Sequence, residues 1–354
     1  MRLGVRGALV RGRLLPGDVE VHDGAIAAVG LGAGGGRGLA APGFVDLQVN
    51  GFAGVDLMAA GPEEWARASS ALLAAGTTAW RPTFITAPEA AMVAALRAMP
   101  RTGPGPRTLG AHLEGPFLAV ERAGAHPVEH LRPPDLDALE RLLAGGPVAH
   151  VTLAPELPGA LALVDALRAR GIAVAAGHTA ASELQAWRAF DRGVRTVTHL
   201  HNAMAPETAA AALAHPGVVV QVIVDGHHVD GAKVLEAWRA ARGRFALVSD
   251  AVAAAGMGDG HFTLGGRPVY SEGGVVRGAR GRLAGSALTM AQAVRNLHAL
   301  GVPLADALTA AATVPARVAG RPDLGRLEPG APADVVVLDD RLEVERVLLG
   351  GAER

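Results

Sequence analysis

Short apolar runs recur through the middle of the chain, and segments with apolar residues at helical spacing separate them. The strand-like runs are GFVDLQV, TTAWRPTFI, RTLGAHLEG, VAHVTLAPE, GIAVAAG, VRTVTHL, VVVQVIVDG and FALVSD. The helix-like segments include PEEWARASSALLAAG, PDLDALERLLAGG, GALALVDALRARG, ASELQAWRAFDRG and DGAKVLEAWRAARG. Eight such units in succession predict an α/β fold, a (β/α)8 TIM-type barrel over residues 42–324. A doubly wound open sheet is the rival. The two chain ends have another rhythm: LGVRGALV, DVEVHDG and AIAAVG at the start, and ADVVVLDD and EVERVLLGG at the end, read as short strands with glycine turns. They predict a small β-sandwich domain built from residues 1–41 and 325–354. A glycine-rich stretch near 256–285 predicts a β insertion after the last barrel strand.

The polar residues at the strand ends favour the closed barrel. They are Gln48 and Asn50, Arg81 and Thr83, His112 and Glu114, Glu156, His178, His199, Asp225 and His228, and Asp250. In a barrel the chemistry gathers where strands give way to βα loops, so polar groups recur at nearly every strand exit. An open sheet would concentrate them at its switch point.

Composition narrows the chemistry. The chain has no cysteine, which excludes disulfides and thiolate zinc sites; a metal must be held by His, Asp or Glu. The formal net charge is −1 and no long run of one sign occurs, so neither nucleic acid nor an acidic membrane is an expected partner. The start, MRLGVRGALVRGRLLPGD, is broken by arginines and lacks an apolar signal core. No stretch reaches the ~18 apolar residues of a membrane span. The expectation is a soluble cytoplasmic protein.

Glu114 ends a strand just before Gly115-Pro116, His178 ends GIAVAAGHT, and His199 ends VRTVTHL. One carboxylate and two imidazoles from three strand ends match a three-ligand site for one divalent metal, with a position left for water. Zinc is the default ion; iron or manganese suits the same donors. His201 would share the face of His199 if the strand continued. The chain is expected to turn at HNAM, so His199 is the expected ligand and His201 a loop residue. Asp250, in FALVSDA, is placed to move a proton across the mouth, or else to cap a helix. Asp225 and His228, in DGHHV, combine turn chemistry with a candidate substrate contact. Two decoys are set aside. GLGAGG, Gly30 to Gly35, fits a dinucleotide glycine pattern, but more glycine and Ala-Ala-Pro-Gly follow instead of a helix. Lys233, the only lysine, lies inside a helical pattern, so a lysine-bridged two-metal centre is not expected.

The motifs PGFVDLQVNGFAGVD, HLEGPF, GHT, THLHNAM, DGHHV, SDA and LAGSALTM run in this order from Pro42 to Met290. In type and order they resemble the N-acetylglucosamine-6-phosphate deacetylases of the amidohydrolase superfamily. The resemblance implies hydrolysis of the N-acetyl amide of a phosphorylated amino sugar by a homodimer. It makes Glu114, His178 and His199 the metal ligands and Asp250 the catalytic acid/base. It makes Gly115, His126, Asn202, Ala203, Asp225, His228, Leu283, Ala284 and Gly285 the substrate contacts and walls. Many superfamily members carry His-x-His on the first strand; here it reads Gln48-Val49-Asn50, which resembles the subgroup with one tightly held metal and a vacant second position. One departure stands out. Relatives usually have an arginine for the 6-phosphate in the loop after Asn-Ala-Met, and here that loop, APETAAAALAHPG, has no Arg or Lys. Either Arg81 or Arg277 takes over, or the substrate is an unphosphorylated N-acetyl amino sugar or another acylated amine.

Overall fold

The computed structural model describes residues 1–32, 36–103, 105–279 and 281–354. Eight parallel strands form a barrel: β1 (Phe44–Val49), β2 (Thr77–Ile85), β3 (Ala111–Glu114), β4 (Val148–Leu153), β5 (Ala173–Ala176), β6 (Thr196–Val197), β7 (Val219–Val222) and β8 (Phe245–Leu247). Each pairs with its sequence neighbour, and the ring closes through a parallel bridge from Val49 to Ala251. The strands are buried on both faces, which is why they read as nearly continuous apolar runs. In β2, Arg81 and Thr83 face the barrel interior. Trp80 and Phe84 face outward and meet Trp65 of the first barrel helix (Pro62–Ala74) edge-on, at 6.0 and 6.4 Å between ring centroids.

Local chemistry marks the helix starts. Ser182 and Gln185 form a capping box before Glu183–Arg192, and Thr289 and Gln292 do the same before Met290–Ala299. Three segments depart from the pattern read in the sequence. RTLGAHLEG is split into Arg107–Thr108 and β3, with Gly110 between them at φ +80; a Cβ there would lie 2.6 Å from that of Ala149. VRTVTHL contributes only Thr196–Val197 to the sheet. The segment taken as a loop after Asn-Ala-Met is a helix, Pro206–Ala214, with proline and Glu207 in its first turn. Beyond Glu207 and Thr208 its residues are all apolar, so no amphipathic stripe announces it.

The termini interleave in one six-stranded sheet. Leu39–Pro42 pairs in parallel with Gly7–Val10 on one side and antiparallel with Val335–Leu338 on the other. A hairpin, Asp18–His22 with Ala25–Leu31, packs on this sheet over a core that includes Val5, Val19, Ile26, Leu327 and Val335. Ala33, Gly34 and Gly35 of the GLGAGG run lie outside the described residues; Gly30 and Leu31 close the hairpin's second strand. The glycine-rich insertion is a three-stranded antiparallel sheet, Gly260–Leu264, Arg267–Glu272 and Val275–Gly278. Among the described residues, no helix is long and apolar enough to cross a membrane.

The barrel interior below the mouth is polar. His112 bonds Thr83 and Thr152, and its ring stacks on that of His150 with centroids 4.3 Å apart. Burial pushes the His112 imidazolium down to about 3 and holds His150 well below the usual histidine range. Both rings are therefore neutral when folded. The unfolded chain takes up these protons near pH 6.5, while the folded chain refuses His112's proton until about pH 3. The stabilisation is full above the unfolded value and is lost as pH falls through that window. His150→Phe keeps a stacked ring and removes one proton site. Its melting temperature is expected to fall less steeply than the parent's between pH 6.5 and 4, as calorimetry at stepped pH would show. A parallel decline would place the acid sensitivity elsewhere. The comparison is made with the parent because Asp46, pushed up to about 7 by burial, contributes the opposite slope.

Candidate active site

Each chemical residue sits where a barrel strand ends. Glu114 is the last residue of β3; His178, His199 and Asp250 follow β5, β6 and β8 within three residues. The last three, with Ala203, adopt left-handed backbone at φ 49, 30, 50 and 49. Such conformations cost about 1–3 kcal/mol each in non-glycine residues and persist where surrounding structure enforces them. Here they turn side chains from separate strands toward one point.

That point is Glu114 Oε1. It lies 2.9 Å from His199 Nε2 and 3.1 Å from His178 Nε2, and Oε2 lies 3.7 Å from His126 Nε2. His178 Nδ1 is 2.8 Å from the Arg122 carbonyl, which can only accept, so Nδ1 carries the hydrogen. Nε2 then meets the carboxylate oxygen at 3.1 Å, a distance that requires a proton or a cation between the two atoms. Burial opposes charge on Glu114, yet hydrogen bonds from His126, His178 and His199 outweigh it and hold the carboxyl well below its usual range. Burial likewise opposes charge on His199, but Glu114 pushes it up to about 9. The three ligand atoms lie within 4.8 Å of one another, and this hard, cation-seeking donor set fits a divalent ion. His201 stands apart from it: it is half-buried, at φ 73, with its charge opposed by burial and then by Lys233.

Asp250 faces this group. Gln48 Nε2 and Asn50 Nδ2 both donate to its Oδ1, at 3.0 and 2.8 Å. The amide pair at the end of β1 therefore holds the aspartate by Oδ1 and leaves Oδ2 for other work. Burial, then the Glu114 charge, pushes Asp250 up to about 6.

The cavity over these groups has a volume of 260 Å³. Asn50, His126, Asn202, Ala203, His228, Leu283 and Gly285 all line it. Ala284 lines only the adjoining cleft toward the β insertion. Gly115 and Asp225 stand behind the residues that line it. Gly115 backs Glu114 at φ +88, where a Cβ would lie 2.2 Å from Thr86 Oγ1. Asp225 Oδ2 lies 2.6 Å from His228 Nδ1, and Oδ1 accepts the amide hydrogens of His227 and His228 at 2.9 Å. These bonds orient His228. Thr86 N–H donates to His126 Nδ1, so His126 presents Nε2–H as a donor.

Neither arginine offered as a stand-in for the missing phosphate ligand reaches the mouth. Arg81 is mid-strand in β2, and its side chain lines a cavity at the opposite barrel end. Arg277 is exposed and donates to the Gly281 carbonyl of its own turn. Arg122 is the arginine on the catalytic cavity wall among the described residues, and it makes no ion pair. The sequence signal for it was its place in ERAGAH, four residues before His126 on the same loop.

Residues 39–353 match the amidohydrolase family. The chain belongs to the amidohydrolase family. Amidohydrolases are metal-dependent, and Glu114, His178 and His199 form the group that fits an ion in this one. This amidohydrolase is 38% identical over 327 residues to the N-acetylgalactosamine-6-phosphate deacetylase of Escherichia coli O157:H7, covering 88% of this chain and 87% of that protein. It is 38% identical over 342 residues to the human N-acetylglucosamine-6-phosphate deacetylase, covering 90% and 83%. Among solved structures, it superposes with a TM-score of 0.93 on an aspartate-to-alanine mutant of the Mycobacterium smegmatis N-acetylglucosamine-6-phosphate deacetylase in complex with N-acetylglucosamine 6-phosphate. That likeness is at 36% identity and covers 99% of this chain and 97% of the other.

Proposed function

We propose that this amidohydrolase hydrolyses the N-acetyl amide of N-acetylglucosamine 6-phosphate to acetate and glucosamine 6-phosphate. One observation carries the reading: the free oxygen of a buried, amide-clamped aspartate faces a Glu-His-His group across a cavity that also carries an arginine. Glu114, His178 and His199 would hold the ion. A divalent ion held there supplies a Lewis acid for the acetyl carbonyl and makes water easier to deprotonate.

The rest is the work of the chain's own side chains. Asp250 takes the proton of the attacking water at Oδ2. It returns that proton to the amide nitrogen, so the sugar leaves as an amine and not as a strongly basic anion. His126 Nε2–H donates to the oxygen that gains charge as the carbonyl becomes tetrahedral. His228, with Nδ1–H spent on Asp225, offers Nε2 as an acceptor for a sugar hydroxyl. Asn202 and the Ala203 backbone border the sugar, and Leu283 and Gly285 close the wall on the insertion side.

Arg122 replaces the arginine missing after Asn-Ala-Met and binds the 6-phosphate, for which a guanidinium fork is well matched. Arg122→Ala is therefore expected to raise KM for the phosphorylated substrate by about 10- to 100-fold, the loss of a charge-assisted pair, with kcat changed little. Its KM for unphosphorylated N-acetylglucosamine should not move. Equal effects on both sugars would remove Arg122 from the phosphate. The function itself is tested by acetate release from N-acetylglucosamine 6-phosphate, its galactosamine epimer and the unphosphorylated sugar, on metal-analysed protein. No release from either phosphate ester would refute it. The reading also carries zinc as the ion, suited to His and carboxylate donors, a homodimer and a cytoplasmic location. It divides the chain into a β unit of residues 1–41 with 325–354 and a catalytic barrel of residues 42–324.

A further inference from the structure

A second cavity, of 540 Å³, opens at the far end of the barrel from the catalytic mouth. Its rim is made by residues that lead into β5, β6, β7 and β8, including Gly171, Gly193, Gly217 and Gly243. Five arginines line it, Arg81, Arg168, Arg195, Arg244 and Arg317, and no carboxylate does. None of the five forms an ion pair among the described residues. Nearby arginines behave otherwise: Arg170 pairs with Glu140 and Arg192 with Asp165.

Arg81 is the decisive member. Its side chain is buried in the barrel at 2% exposure, and Nε and Nη1 have no hydrogen-bond partner. Burial lowers its guanidinium only to about 10, so it is charged at neutral pH. Its polar neighbours include His112 and His150, whose imidazoles offer no negative charge in either protonation state. A buried, unpaired cation is costly and is ordinarily matched by a counter-charge. Arg244 and Arg317 are fixed by carbonyls without an ion pair. Arg244 Nη2 donates to the Leu213 carbonyl at 2.9 Å, and Arg317 Nη2 to the Gly243 carbonyl at 2.6 Å. The rim glycines give the guanidiniums room: a Cβ on Gly193 would lie 2.2 Å from Arg168 Nε, and one on Gly217 would lie 3.2 Å from Arg195 Nη1.

We propose that this cavity is a second ligand site, which binds a phosphate-rich anion carrying a diphosphate group through Arg81, Arg168, Arg195, Arg244 and Arg317. Planar guanidiniums converging without acids suit several phosphate oxygens at once. The volume lies in the range of small-molecule pockets, so it accommodates bare pyrophosphate or the diphosphate of a nucleotide.

The test is calorimetric titration and thermal melting of the metal-loaded enzyme with pyrophosphate and with ADP. Metal content is checked before and after, and sulfate at equal ionic strength is the control. One saturable anion per chain is expected, with a rise in melting temperature that sulfate does not reproduce. The Arg195→Ala/Arg317→Ala double variant should lose at least about tenfold in affinity while keeping the parent's kcat and KM. Arg122→Ala, at the catalytic mouth, should bind the anion as the parent does. Arg81→Met is the most telling variant. It should melt higher than the parent without anion, because an unpaired buried charge is gone, and should no longer respond to the anion. Equal affinity for both probes supports recognition of the diphosphate alone, and tighter ADP binding adds a contact to the nucleoside. Absence of saturable binding, an equal response to sulfate, or binding unchanged in the double variant would overturn the proposal. So would a lower melting temperature in Arg81→Met with its anion response intact.

Discussion

Asp250→Asn is expected to keep a full complement of metal and lose turnover by about 10²- to 10⁴-fold, the usual contribution of a positioned acid/base. The replacement is nearly isosteric. Its carbonyl oxygen can still accept from Gln48 and Asn50, which now hold Oδ1 at 3.0 and 2.8 Å. Its amide nitrogen would then stand where Oδ2 faces the cavity, and it can neither take a proton from water nor return one to the leaving amine. KM should stay within a few fold, because the sugar and phosphate contacts lie on other residues. Steady-state kinetics with metal analysis of the same preparation gives the answer. Turnover within tenfold of the parent would take the proton-transfer role away from Asp250.

Glu114→Gln has the opposite signature. The carboxylate supplies the one negative charge among the three grouped donors, and both imidazoles converge on its Oε1. An amide keeps the shape and removes the charge. Metal affinity is expected to fall by more than about 100-fold, exceeding what loss of an outer-shell partner gives. Activity should fall with it and recover in part when millimolar zinc is added. Dialysis followed by elemental analysis reads the metal per chain, and a full equivalent retained at nanomolar free zinc would dismiss Glu114 as a ligand. Together the two variants separate a group that holds the ion from a group that moves protons.

The eight strands and five of the helices were legible because burial on both faces, and on one face, leaves different periods in the sequence. Glu114, His178, His199 and Asp250 were legible because barrel strand exits are where such side chains converge. What escaped was set by tertiary geometry. The amides of Gln48 and Asn50 clamp Asp250 only because β1 and the residues after β8 meet at the barrel seam, Val49 against Ala251. The hydrogen bonds that tie Asp225 to His228 depend on the folded loop and leave no mark in the sequence pattern. Arg81 read as a mouth residue, but β2 runs on to Ile85 and leaves it deep in the barrel. The helix Pro206–Ala214 was hidden by an alanine run without polar contrast.

The interleaved terminal sheet bears on how the chain is made. Leu39–Pro42 needs Val335–Leu338 beside it, and nearly three hundred residues are synthesised between them. At ordinary translation rates the ribosome takes roughly 15 to 60 s to supply the missing neighbour. Throughout that interval the nascent polypeptide carries an unsatisfied strand edge, the kind that recruits chaperones or sticks to other copies. Slow elongation late in the message, or a premature stop before residue 335, should therefore show up as aggregation rather than as a soluble fragment.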